Sequence, residues 1–152
     1  MANSILWAVV GGWTVCSKKG NEMKFSLQEL LTAGQHKWSQ TELDSVTLRN
    51  LQDLCLKLNK LGFQPPRYAT SCLRSLADQK RINPSAMGSS HLYGCAVDIS
   101  DKDGKLKEWL QKSVGKNALI DCGLWVEDFN STPTWVHLQT YMPKSNRRFF
   151  KP

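Results

Sequence analysis

The stretch Ser89-Ser90-His91-Leu92-Tyr93-Gly94-Cys95-Ala96-Val97-Asp98 decides how this chain is read. It supplies one imidazole and one carboxylate, seven residues apart. Far downstream, Trp135-Val136-His137 supplies a second imidazole. Three protein ligands plus one open water position is the arrangement of a catalytic zinc, whereas structural zinc sites close all four positions. If His91, Asp98 and His137 meet in space, the pattern predicts a metal-dependent hydrolase.

Local patterning shows how they would meet. Gly94 gives the backbone freedom to bend or to approach another element closely. Residues 95–99 (Cys-Ala-Val-Asp-Ile) read as a short buried strand. Side chains alternate faces along a strand. Ala96 and Asp98 then share one face, with Cys95, Val97 and Ile99 on the other. In a second strand-like run, Trp135 to Gln139, the residues Trp135, His137 and Gln139 share a face while Val136 and Leu138 point into the core. Two neighbouring strands would carry Asp98 and His137 to one point. The same alternation removes Cys95 from the ligand set.

The string 89–98 resembles the S-x-H-x-x-G-x-A-x-D motif of peptidase family M15, with every fixed position filled. These are zinc D-Ala-D-Ala carboxypeptidases, dipeptidases and phage or bacterial peptidoglycan endopeptidases of the hedgehog/DD-peptidase fold. Trp135 and His137 fill the family's W-x-H motif. Thr70-Ser71-Cys72-Leu73-Arg74-Ser75 is similar to its T-S-G-Y-R-S stretch, and Asn83 falls where the family often has Asn. The resemblance runs from about Phe25 to the C-terminus. It implies that His91, Asp98 and His137 hold zinc, and that Arg74 faces the site and stabilises a developing oxyanion.

One part of the family pattern is missing. Many relatives carry Glu or Asp three residues before the last histidine, as the base that activates water; here that position is Thr134. A general base must lie within hydrogen-bond reach of its proton. The nearest upstream carboxylates are Glu127 and Asp128, at the end of the strand-like run Gly123–Asp128. Glu127 has the longer reach and comes first, Asp128 second; both also fit solvated turn positions. Ser89 is a candidate to orient a substrate group or a ligand. Trp135, on the His137 face, is a candidate to line a substrate groove, since aromatic platforms suit sugars and peptides.

Composition is that of one soluble domain: 152 residues, 41% hydrophobic and 22% charged. The formal net charge of +7 favours polyanions. The cations are scattered, apart from a modest cluster at Lys144, Arg147, Arg148 and Lys151, and no nucleic-acid-binding motif accompanies them. Charge alone does not choose the partner; the resemblance implies peptidoglycan, whose anionic wall suits a basic protein, and nucleic acid is not the expected partner. Five cysteines (16, 55, 72, 95 and 122) form no C-x-x-C and no even set. They read as buried apolar residues of a reducing compartment. His36, in a polar stretch, is expected to be exposed.

The N-terminal apolar run Ile5–Cys16 is too short to span a bilayer and lacks a basic segment ahead of it, unlike a signal peptide. Gly11-Gly12 at its middle predicts a hairpin instead, an extension (residues 1–24) of one domain covering 1–152. Cytoplasmic synthesis and a monomer are the default expectations. Resemblance to phage lysins implies release to the wall through a holin-type pore, or carriage in a virion.

Helices are expected from Ser26 with a capping box to Glu29, over Asp44–Leu61 with Gly62 as the stop, at Ser75–Arg81, and over Asp101–Val114. A strand is expected at Tyr68–Cys72, and an extended basic tail over Tyr141–Pro152. The fold class is thus α+β: a small, mainly antiparallel sheet bearing the metal site, with helices packed on one side. Three functions follow: a zinc peptidase of peptidoglycan, a non-catalytic zinc-containing virion or wall-binding module, and, on charge alone, a nucleic-acid-binding protein.

Overall fold

The computed structural model describes residues 5–10, 13–18, 25–64 and 67–152. At the N-terminus, β1 (Ile5–Val10) pairs antiparallel with β2 (Trp13–Lys18), Val10 opposite Trp13. These are the two arms of the expected hairpin, the second reaching two residues further. The expected Gly11-Gly12 turn lies outside the described residues.

The rest is α+β. The strands β3 (Ala69–Ser71), β4 (Ala96–Ser100), β5 (Trp125–Glu127), β6 (Trp135–Gln139) and β7 (Phe149–Phe150) form one sheet in the order β3-β4-β6-β5-β7. All pairings are antiparallel except β5 with β7. The helices are α1 (Leu27–Thr32), α2 (Ser45–Lys60), α3 (Leu76–Ile82), α4 (Lys105–Gln111) and α5 (Ser113–Cys122). Val97, Ile99, Val126, Val136 and Leu138 form the sheet's share of the core. They meet Leu30 and Leu31 of α1, Leu51, Leu54 and Leu58 of α2, Leu106 and Leu110 of α4, and Leu119 of α5. Each such side chain withdrawn from water contributes about 1.5–3 kcal/mol. The helix α3 departs from the one-sided expectation. It gives nothing to that cluster, and its buried residue, Gln79, meets Arg74 beside the ligand face.

Helix α2 forms where its pattern places it. Asp44 caps it, accepting the N–H groups of Val46 and Thr47 at 2.9 Å each, and Lys57 and Lys60 complement the dipole in the last turn. Its first turn departs from the apolar pattern: Val46 is exposed, because the buried stripe starts only at Leu51. The capping box at α1 is half made. Ser26 Oγ accepts from the Glu29 N–H, but the Glu29 carboxylate instead accepts the Ala69 N–H of the edge strand β3.

The expected helix over Asp101–Val114 is two helices. The chain turns extended at Lys112, and α5 follows, with Val114 exposed rather than buried. Gly115 makes this junction possible: a Cβ there would lie 2.2 Å from the Trp109 carbonyl oxygen. Asp101 caps α4 from outside it, its carboxylate accepting the N–H groups of Leu106 and Lys107. The expected extended tail also has structure, since its Phe149-Phe150 pair adds β7 to the sheet.

Candidate metal centre

The three predicted ligands come together. Asp98 on β4 lies directly opposite His137 on β6, so the antiparallel ladder sets both side chains on one face. His91 arrives from a short 3-10 turn, Ser90–Tyr93, that Ser89 caps by accepting the His91 N–H at 3.4 Å. Gly94 ends the turn at φ 69°. A Cβ on Gly94 would sit 2.9 Å from Leu51 and 3.1 Å from the Thr47 carbonyl, so glycine serves both the bend and the close approach to α2. The side-chain amide of Asn50 in α2 holds the turn through the Tyr93 carbonyl.

Ring orientation shows what the centre can hold. His91 Nδ1 is 2.6 Å from the Cys72 carbonyl oxygen. A carbonyl only accepts, so Nδ1 carries the hydrogen and Nε2 is left with its lone pair. That Nε2 is 3.3 Å from Asp98 Oδ1. His137 is used the other way round. The Gln139 amide nitrogen donates to the Tyr141 carbonyl at 2.6 Å, which fixes Gln139 Oε1 toward the site. His137 Nε2, 3.3 Å away, donates to it, and Ser90 Oγ donates to the same oxygen at 3.1 Å. His137 Nδ1 thus turns its lone pair to Asp98 Oδ1, 2.9 Å away. Three acceptor atoms converge, and only a cation or an added proton can hold them together. His91, Asp98 and His137 form a group, all ligand atoms within 4.8 Å of one another, that could hold a metal ion.

The outer oxygen of Asp98 is held by Arg74, whose Nη2 donates to Oδ2 at 3.1 Å and to Ser71 Oγ at 3.2 Å. Arg74 Nη1 donates to Gln79 Oε1 at 2.9 Å. Gln79 in turn donates to the carbonyls of Asn83 and Ala86, tying down the loop ahead of His91. Each ligand therefore has its own partner behind it, as metal-binding histidines and carboxylates require.

Charge follows the same geometry. Burial pulls the His137 pKa down, but the hydrogen bond and charge of Asp98 outweigh it and raise it. At His91 burial prevails over the attraction of Asp98, and its pKa is lowered. Burial pushes Asp98 up, yet the His91 charge and the histidine hydrogen bonds bring it far below the usual carboxylate range. Of the two imidazoles, Asp98 thus favours protonation of His137 over that of His91.

The remaining predicted residues divide. Continuing the β5–β6 register (Trp125 opposite Gln139, Val126 opposite Leu138) by one residue sets Glu127 beside His137. Glu127 is half-buried, and burial raises its pKa against the opposing pull of His137. Its carboxylate makes no hydrogen bond among the described residues. Asp128 is otherwise occupied: its Oδ1 accepts from the Asn130 backbone and side-chain amides at 3.2 and 3.1 Å, a local turn. Thr134 is exposed. Trp135 opens β6 on the His137 side, half-buried. Cys95 is buried outside the ligand group, and His36 is exposed. Sequence reasoning missed Gln79 and the Cys72 carbonyl. It also missed Phe150, whose ring meets His137 edge-on with centroids 6.2 Å apart; only the apolar pair in a basic tail hinted at it.

No protein-family model, no curated protein and no solved structure matches this chain. Among the described residues, no helix is long and apolar enough to cross a membrane.

Proposed function

We propose that this protein is a zinc peptidase of the M15 kind, with a hedgehog/DD-peptidase-like fold, that hydrolyses a peptide bond of peptidoglycan. The observation that carries this reading is the convergence of three lone-pair atoms whose outward partners are all in place. Ligands bound about 2.0–2.1 Å from a tetrahedral zinc stand roughly 3.3 Å apart, close to the 2.9 and 3.3 Å separations here. Two imidazoles and one carboxylate also leave the fourth position that catalytic zinc sites keep open.

A bound zinc supplies Lewis acidity to a carbonyl and lowers the pKa of water to about 7. The chain's own residues do the rest. Glu127, half-buried and close enough to His137 for their charges to interact, takes the proton of the attacking water and returns it to the leaving amine. Arg74 fixes Asp98 and places a permanent positive charge beside the carbonyl oxygen as it becomes negative. Trp135 offers an aromatic wall to the substrate. The net charge of +7 favours approach to an anionic wall polymer. These features suit a phage-type endolysin or a D-Ala-D-Ala carboxypeptidase.

Thr134, in place of an acid, favours a second reading: a wall-binding or virion module that keeps zinc without turnover. Digestion of purified peptidoglycan, read by mass spectrometry for wild type beside His91→Ala, decides between them. New stem-peptide fragments from wild type alone are the expected result, and they identify the bond. No fragments from wild type carrying one zinc per chain would give the second reading.

A further inference from the structure

A cleft of about 200 Å³ is lined by Arg74 together with Gly34, Ser71, Leu73, Asp78 and Ile82 among others. It shares a wall with the metal centre, since Arg74, which lines it, bonds both Ser71 and Asp98. Its volume is below the roughly 300–1,000 Å³ of pockets that enclose whole drug-sized ligands. It therefore suits one residue of a longer substrate. Its polar groups carry opposite charges. Ser71 Oγ accepts from Arg74 and keeps its own hydrogen to donate, and Arg74 keeps one Nη1 hydrogen beyond its three bonds, its Nε being buried. Asp78 accepts from Ser75 and Arg81, which leaves carboxylate lone pairs for another donor. Leu73 and Ile82 provide apolar surface.

We propose that this cleft is a substrate subsite for an amino-acid residue that presents a carboxylate and an ammonium group together, the carboxylate to Ser71 and Arg74 and the ammonium to Asp78. The proposal rests on the peptidase reading for its setting and names the substrate residue adjoining the metal. In a peptide, such a pair stands at the side-chain end of a diamino dicarboxylic acid. Recognition of both charges at once would separate that residue from one bearing an ammonium alone.

The test uses the full-length, zinc-loaded protein and free alanine, the smallest molecule with both charges. N-Acetylalanine lacks the ammonium and alaninamide lacks the carboxylate. Amide NMR signals of Gly34, Ser71 and Ile82 are followed during titration. Alanine should shift them saturably, and each blocked probe should bind about tenfold more weakly or worse, as loss of one charged hydrogen-bonding partner dictates. Asp78→Asn, which keeps shape and bound zinc, should bind alanine and N-acetylalanine alike. Equal binding of all three probes to wild type, or no shift at these residues up to the solubility of alanine, would overturn the proposal. Alanine has no peptide bond, so its binding is read whether or not the protein cuts one. Peptidoglycan cleavage without alanine binding sinks the subsite alone; alanine binding without cleavage sinks the peptidase reading alone.

Discussion

Strands β4 and β6 turn Val97, Ile99, Val136 and Leu138 to one side and Ala96, Asp98, His137 and Gln139 to the other. The apolar face is fully buried and Asp98 on the other is only partly so, and the two faces obey different physics. The apolar face is held by area removed from water, which is non-directional and tolerates changes of shape. The polar face is held by hydrogen bonds that each need a partner in one place, and an unpartnered buried group costs about 1–3 kcal/mol. One β-ladder thus carries a forgiving surface and an exacting one, back to back. The first supplies stability that the second, with its converging acceptors, does not.

Substitutions on each face should separate these two contributions. Asp98→Ala is the largest. It removes a ligand and the partner of Arg74, so bound zinc, measured by mass spectrometry of the metal, should fall from one per chain to none. Retention of stoichiometric zinc would show that the two histidines suffice and would break the three-ligand reading. Glu127→Gln should keep zinc and lose about 10²–10⁴-fold in turnover, the range of general-base catalysis.

The Glu127 pH dependence has a definite sign. Its folded pKa is raised by burial, so the folded state binds that proton more tightly than the unfolded chain. Its ionisation therefore costs stability above the folded pKa, and the cost disappears as pH falls through that value. Glu127→Gln should accordingly raise stability at pH 7 while it lowers turnover, and wild-type activity should fall on the acid side at a pH above the ordinary Glu value of 4.5. A variant less stable than wild type would show instead that the carboxylate holds the fold.

On the apolar face, Leu138→Ala should cost about 2–5 kcal/mol in denaturant unfolding, with zinc affinity of the folded fraction unchanged. A parallel loss of affinity would mean that the two faces are coupled through β6. The smallest effect comes from the partner behind a ligand. Gln139→Leu deprives His137 Nε2 of its acceptor and should weaken zinc binding by about 10–100-fold, with about 1–3 kcal/mol lost in unfolding for the buried donor left without a partner.

Much of the fold was legible because it depends on local pattern. The 16-residue helix α2 was clear from its apolar stripe and the following Gly62. The alternation in 95–99 and 135–139 placed each ligand on a face before any pairing was known. The breaks came where local pattern competes with distant contacts. Glu29 satisfies the capping-box rule in sequence, yet its carboxylate is taken by an edge-strand N–H 40 residues away. The run 101–114 has helical spacing throughout, but the chain bends at Lys112 so that α5 can pack back on α4 against Gly115. The tail reads as solvated and basic, and only the open edge of β5 explains why Phe149-Phe150 becomes a strand.

The sequence by itself determined the candidate ligand group, the faces of the two strands that carry Asp98 and His137, and the placing of Cys95 on the other face, because side-chain type and a two-residue period suffice for those. Tertiary structure alone decided which nitrogen of each histidine faces the centre. That choice is made by the Cys72 carbonyl and the Gln139 amide, acceptors brought in by chain folding. It also set the two acidic neighbours apart: the charges of Glu127 and His137 interact, while the turn after Glu127 occupies Asp128. A hydrogen bond has direction, and direction is fixed only when separate segments of the chain stand in their places.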